Sequence, residues 1–427
     1  NTDGTYGVKV DEGIANEKAL RKAFYEAATD GAVTKIKLTG DITLEMLYAA
    51  ENFGTEKLDD NAAGDTFNRY KLGVHPTAED PTHWNPLVTG QTQEQRVVYG
   101  AYYHMGATDE RIARLVVKAG QNIELDLNGH TIQKAARATH GDWSNVCTDI
   151  IGNYGTLTVI DSSTGETKGT IRGNGYTSCG GAVLHNYAGA TMTVRAVNVD
   201  GNAEGMTAGT GQYVIRNEGG SVTIDGTNVF DTATSASLLC NDSGTMKVTG
   251  NATLNHPATK TVNVKGGTVE IESAAITSDA YAIFAAGGET KLTGALTISA
   301  SATDKTAGKL ELDGGNIIKT ASATVPNLPD GYKWVDAEDG TQKLAKRTYV
   351  ASVGDNKYES LAEAIKAAGR NATVTLLADT RENVTIDKAM TLDLKGHTLN
   401  GGTEKAKPAL TITARPVKIQ DSSEAQT

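Results

Sequence analysis

Aromatic residues are scarce in this chain, making up only 5% of its 427 residues. A core of this size must therefore be filled by small and β-branched side chains. Long apolar runs are missing too: none approaches the roughly 18 residues of a membrane-spanning helix, so no membrane insertion is expected. No Lys/Arg-rich run stands out and the net charge is −11 with a pI near 5.3. That balance argues against nucleic acid or an anionic membrane as partner. Cysteines number three, and no signal peptide is visible, although a start at Asn1-Thr2 without methionine reads as a processed or trimmed end that allows export. Glycine, by contrast, is plentiful at 47 residues, above the usual roughly 7%.

One phrase occurs twice, as Ile123-Glu-Leu-Asp-Leu-Asn-Gly-His-Thr-Ile132 and as Met390-Thr-Leu-Asp-Leu-Lys-Gly-His-Thr-Leu399. Each copy alternates apolar and polar residues up to a corner where Gly129 or Gly396 can take the positive φ of a sharp turn, so each reads as a strand followed by a corner. Upstream, Leu20, Phe24 and Ala27 match Leu361, Ile365 and Ala368 at helical spacing. Asn16 can cap the first of these helices, and Ser360 with Glu363 forms a capping box on the second. Downstream, Val159-Ile-Asp-Ser-Ser163 is echoed by Ile419-Gln-Asp-Ser-Ser423. A module thus spans 1–345, and 346–427 is expected to be the truncated start of a second.

Between the copies a corner-and-strand unit recurs, beginning at Gly155, Ala190, Gly220, Gly244, Gly267 and Gly288, at steps of 35, 30, 24, 23 and 21 residues. The period predicts an all-β right-handed parallel β-helix, a solenoid of stacked coils, from about 115 to 320, with loops inserted where the step is long. Asn153, Asn186, Asn217 and Asn241 all lie two to four residues before the corner and are expected to form a structural amide ladder from coil to coil. The amphipathic helix near 17–28 should cap the open N-terminal end. A hairpin turning at Asp339-Gly340 should close the C-terminal end.

Tyr358-Glu-Ser-Leu-Ala-Glu-Ala-Ile365, Thr373-Val-Thr-Leu-Leu377, Leu392-Asp-Leu-Lys-Gly-His-Thr-Leu399 and the Gly331-Tyr-Lys-Trp334 hairpin together resemble the pectin-lyase-like β-helix repeat modules of cell-surface proteins from Gram-positive, often gut, bacteria. The resemblance covers most of the chain and is weakest between Met46 and Met105. It implies a secreted, extracellular bacterial surface protein, often wall-anchored, with adhesion-like roles. It carries little about chemistry.

Met46 to Met105 has no counterpart in the second module. The segment holds five of the 15 tyrosines, Trp84 and His75, His83 and His104. Loops on a rigid scaffold are where binding residues concentrate, so Trp84, Tyr99, Tyr102, Tyr103 and His83 are candidate ligand contacts. The plainer reading is a satellite subdomain packing its own rings. His75 and His83 match no strong metal-ligand spacing, and no metal or cofactor is expected. His130 and His397 recur with the corner phrase and read as turn-stabilising groups.

On the coils, Gly152, His185, Arg216 and Cys240 take equivalent places just before the asparagines. His185 and Arg216, with Tyr187 and Arg195 close in sequence, are weak candidates for a lyase that abstracts a proton beside a uronate whose carboxylate Arg holds. The clustered acids of a calcium site and the paired carboxylates of a glycosidase are not evident. Cys147 and Cys179 precede Asn153 and Asn186 by similar steps, and read either as a disulfide between adjacent coils or as two small buried thiols. These observations lead to the expectation of a non-catalytic adhesin-like or display protein that binds glycans or proteins on host or microbial surfaces. A carbohydrate-active enzyme, lyase-like and acting on an acidic polysaccharide, is the alternative, and a structural spacer or stalk the third.

Overall fold

The computed structural model describes residues 9–44, 57–59, 69–70, 97–98, 101–102, 111–134, 147–173, 182–201, 213–230, 237–256, 260–299, 308–325, 328, 331–402 and 407–423. The fold is mostly β, built on long parallel sheets. The chain divides into two compact units, 1–329 with 335–344 and 330–334 with 345–427. Among the described residues no helix is long and apolar enough to cross a membrane.

In the first unit each repeat, or tier, between the two ends of the stack contributes to each of three rows. Row A runs from Arg111–Val117 through Cys147–Asn153 and Ala182–Asn186 to Lys309–Leu312. Row B runs from Val33–Leu38 through Asn122–Asp126 and Thr156–Ile160 to Asn316–Lys319. Row C is made of short strands from Ile42–Leu44 and Thr131–Lys134 to Leu296–Ser299. Two long strands, Tyr213–Asp225 and Ser237–Thr249, pass from row A into row B without a break.

Register explains why small aliphatic residues suffice. Leu115, Ile151, Leu184, Ile215, Leu239, Val262, Ile283 and Leu310 pair tier to tier in row A. Ile36, Leu125, Val159, Val194, Ile224, Val248, Ile271 and Leu292 do the same in row B. In row C the column is Ile42, Ile132, Ile171, Val199, Val229, Leu254 and Ile276. All of these side chains are buried. Pairing neighbours about 4.8 Å apart call for branched aliphatic side chains of similar size rather than interlocking rings, and each contributes about 1.5–3 kcal/mol on burial.

Helix α1, Glu17–Glu26, is capped as its sequence predicts: Asn16 Oδ1 accepts from the Ala19 N–H at 2.9 Å. Leu20, Ala23, Phe24 and Ala27 face inward and are buried. Its last carbonyls would be orphaned in an apolar setting. Gln121, 1% exposed, supplies the missing donor through Nε2, 2.9 Å from both the Phe24 and the Ala27 carbonyl oxygens. At the other end of row B the pairing turns antiparallel, with Ile318 opposite Lys343. The hairpin turn at Asp339-Gly340 has Gly340 at φ +79°.

The second unit repeats the opening of the first. Helix α2, Leu361–Ala367, buries Leu361, Ala364 and Ile365, and Ser360 Oγ accepts from Glu363 N–H at 3.1 Å. Strands Thr373–Leu376, Met390–Asp393 and Val417–Gln420 pair in parallel, as row B does.

The twice-used phrase folds into the same corner in both units. Asn128 and Gly129 lie at φ +48° and +81°, Lys395 and Gly396 at +45° and +81°. Asp126 Oδ1 accepts from the N–H groups of Asn128 and Ser162, and Asp393 Oδ1 from those of Lys395 and Ser422. Asp161 Oδ1 accepts from Gly129 and Ser163, and Asp421 Oδ1 from Gly396 and Ser423. Each aspartate therefore fixes a tight turn and ties it to the next tier. Donation to the charged form favours ionisation. The Gln420 side chain, with Ser422 and the Lys395 N–H, holds Asp393 down at about 2. Asp161 lies below its ordinary range because backbone donors outweigh its partial burial. His130 and His397 complete the match, each with Nδ1 3.5 Å from Asp41 or Asp379.

Candidate functional site

Polar chemistry in the first unit gathers at one corner of row A, where each strand ends and the chain turns toward row B. Four of those turns are held by buried asparagines. Asn153 Nδ2 donates to Asn186 Oδ1 at 2.7 Å, Asn186 Nδ2 to Asn217 Oδ1 at 3.0 Å, and Asn217 Nδ2 to Asn241 Oδ1 at 2.7 Å. The same amides donate to backbone carbonyls such as those of Thr191, Ala190 and Gly220. The ladder needs glycine beside it: a Cβ on Gly220 would stand 2.3 Å from both the Ala190 oxygen and Asn186 Nδ2.

Strand alternation places the residue before each asparagine on the opposite face. Register puts Gly152, His185, Arg216, Cys240 and Asn263 side by side on successive tiers. The residue after each asparagine forms a neighbouring column of Tyr154, Tyr187, Glu218 and Asp242, which Lys265 continues on the following tier. The two columns interlock.

Asp149, fully buried, accepts from the Ala182 N–H at 2.7 Å on Oδ1 and from the Tyr187 hydroxyl at 2.7 Å on Oδ2. The same Oδ2 lies 3.0 Å from His185 Nδ1, which assigns the ring proton to that nitrogen. His185 is 0% exposed, and its Nε2 points at Glu218 Oε2, 3.5 Å away. Its ring stacks on Tyr187 at 4.0 Å, and Tyr187 stacks on Tyr154 at 4.2 Å with the planes 6° apart. Arg216 is shared between Glu218 at 2.5 Å and Asp242 at 2.6 Å. Lys265 reaches Asp242 Oδ1 and the Tyr213 hydroxyl, both at 2.9 Å. Arg216 and Lys265 also lie over the Tyr213 ring.

Acids and bases thus alternate across five tiers, three of each. Burial pushes the His185 pKa down, but Asp149 and Glu218 outweigh it and leave it raised. Burial pushes Tyr187 well up, with Asp149 adding to it. The Asp242 carboxyl is partly buried, yet Lys265 and Arg216 hold it below its usual range. Burial drives the Cys240 thiol up to about 12, with Asp242 contributing, so this cysteine is a packing group rather than a nucleophile.

Chemically, the group is rigid and self-neutralised. The imidazole is enclosed, and the guanidinium that could grip a uronate carboxylate is already held by two acids. Arg195 stands apart on row B, paired with Asp225 at 3.0 Å. Among the described residues no three His, Cys, Asp or Glu side chains gather as metal ligands.

Asp149, Tyr154, Glu218, Asp242 and Lys265 were not singled out from sequence. For Tyr154, Glu218 and Asp242 a signal existed, because each sits one position beyond an asparagine of the ladder, whereas Lys265 follows Val264. Asp149 lies four residues before Asn153, and nothing local marks it. Trp84, Tyr99, Tyr103 and His83 lie outside the described residues. So does the side chain of Tyr102, which ends the short strand Ala101–Tyr102. The Cys147–Cys179 pairing also lies outside them. Comparison with known proteins finds no family model, no curated protein and no solved structure that matches the chain.

Proposed function

We propose that this chain is a right-handed parallel β-helix module, with the start of a second, from an exported bacterial cell-surface protein of pectin-lyase-like architecture. Its role is non-catalytic recognition of glycans or proteins on host or microbial surfaces. Three rows in constant register and the recurring helix-and-corner opening support the architecture. A structure of the intact protein with the rows paired as an antiparallel sandwich would overturn it.

One observation carries the recognition role: the half-buried, parallel Tyr154–Tyr187 stack, clamped by Asp149. Rigid rings beside charged groups present a preorganised face for a sugar or a peptide at low entropic cost. The enclosure of His185 and the paired state of Arg216 support recognition without turnover. The Met46–Met105 segment supplies the other candidate contacts.

A second reading, a lyase acting on an acidic polysaccharide, is favoured by the Asp149–His185 pair, in which a carboxylate orients an imidazole as it does for proton transfer. A glycan and protein binding screen on the whole chain decides between them when run with Tyr154→Ala and with a variant lacking 46–105. Loss of binding in either variant supports recognition. Release of unsaturated uronates from an acidic polysaccharide supports the lyase and overturns the first reading. No binding and no turnover would leave the module a spacer.

A further inference from the structure

Whatever the corner binds, we infer that His185 is a proton-held clasp: the charge on its ring joins the carboxylates of Asp149 and Glu218 across three successive tiers, and loss of that proton loosens the corner. The geometry carries this. Asp149 belongs to the tier before His185 and Glu218 to the tier after it, and both carboxylates face the two ring nitrogens, at 3.0 and 3.5 Å. Nε2 is buried and faces Glu218 Oε2 at the outer limit of hydrogen-bond distance, so charge attraction is a large part of what ties it there.

Among the described residues, the other groups against the ring are Tyr187, stacked on it, and Tyr154 behind Tyr187. From the following tier Arg216 reaches the second oxygen of Glu218 and continues to Asp242, which Lys265 completes. Tyr187 is neutral at physiological pH, because burial, with Asp149 adding to it, pushes its pKa well up. Among the described residues, the charges of Asp149, Glu218 and Asp242 are matched by Arg216, Lys265 and a cationic His185. A neutral imidazole would take its charge away from the buried Asp149 and from Glu218, which is unfavourable in a low-dielectric site. The raised pKa of His185 agrees with this balance.

The sign follows. A folded-state value above the unfolded value of about 6.5 means that the proton stabilises fully below about pH 6.5, and that its contribution fades as pH rises through the raised folded value. The clasp therefore holds fully below about pH 6.5 and slackens as pH rises through the raised folded value. Tyr187, whose hydroxyl shares the Asp149 oxygen with His185, is the first surface group to feel it.

The test uses the whole chain with ring-labelled histidine, followed by NMR from about pH 5 to pH 10. One of the eight histidines should keep its proton above the ordinary titration near 6.5. Glu218→Gln should bring that resonance back toward the ordinary range. In parallel, the melting temperature of His185→Gln should lie below wild type near about pH 5 to 6, with the gap narrowing as pH rises toward about 10. The clasp is refuted if every histidine titrates at or below the ordinary value, or if the gap between wild type and His185→Gln is the same at both ends of the range. Zinc ions that raise the wild-type melting temperature at neutral pH, and do nothing for Glu218→Gln, would also refute it, because a metal rather than a proton would then complete the cluster. Should His185→Gln fail to fold, the response of the wild-type resonance to Glu218→Gln decides alone.

Discussion

Two corners of this protein invite comparison. The Asp126–Asp161 corner recurs in the second unit as Asp393–Asp421 with the same donors, the same left-handed residues and even the same His-to-Asp distance of 3.5 Å. The row A corner around His185 is found only in the first unit among the described residues. A set of backbone donors reproduced at equivalent positions wherever a stack opens belongs to the mechanics of stacking. A pattern that occurs once, that crosses five tiers and that spends buried charge is free to specialise. The recurring histidines thus serve the turn, and the solitary one serves the corner.

The comparison can be broken most forcefully at the ladder. Asn217→Ala removes the middle amide and leaves donors and acceptors of Asn186 and Asn241 unsatisfied, so it should destabilise the first unit by about 3 kcal/mol. Hydrogen exchange should show the loss around residues 182–249 and none in 351–423. Equal loss in both units would mean that the ladder does not act locally.

Removing the shared corner should act alike in both. Asp126→Ala should cost the first unit about 1–2 kcal/mol, and Asp393→Ala should loosen the second in the same direction, read by local exchange at Ser162 and Ser422. Acid gives a matched test. The folded-state carboxyls of Asp161, Asp393 and Asp421 are depressed, Asp393 to about 2. Their contribution is present above the unfolded value near 3.9 and lost as pH falls through the folded values, so melting temperatures should drop between about pH 4 and pH 2. Asp393→Asn should flatten that drop in the second unit alone.

Binding separates the units next. With a ligand in hand, Trp84→Ala and Tyr102→Ala should each weaken it at least about tenfold, worth about 1.4 kcal/mol, while the melting temperature stays nearly fixed. Normal binding in both variants would shift recognition entirely to Tyr154 and Tyr187. Smallest of all, His130→Ala and His397→Ala should each change stability by no more than about 0.5 kcal/mol, since in both pairs the aspartate is exposed and the histidine partly so. A larger effect at one than at the other would undo the equivalence of the two corners.

Much of this was legible from residue order. Period and alternation located row B, the asparagine column and the His185–Arg216–Cys240 column, because each lies at a fixed distance from a glycine-marked corner. Row C was not read, since strands of three residues such as Thr170–Arg172 are too short to show alternation. Glu218, Asp242 and Lys265 were passed over because a charged residue just beyond a turn looks like ordinary surface. Only stacking shows that it faces the cations of neighbouring tiers. Asp149 depends on a contact 36 residues away, which no local pattern encodes.

The amide ladder has a consequence beyond stability. Every link runs one way, with the Asn153 amine given to the Asn186 carbonyl, then Asn186 to Asn217 and Asn217 to Asn241, and the last amine delivered to the Gly266 oxygen. Hydrogen bonds aligned head to tail polarise one another. The stack therefore has a polarity, and with it a grammar for growth. A tier spliced between two of these asparagines must bring its own amide or cut the chain of dipoles. One added past Val264, where the aliphatic side chain has already taken the asparagine position, is free of that rule. Lengthening by duplication is thus permitted beyond the ladder and penalised within it.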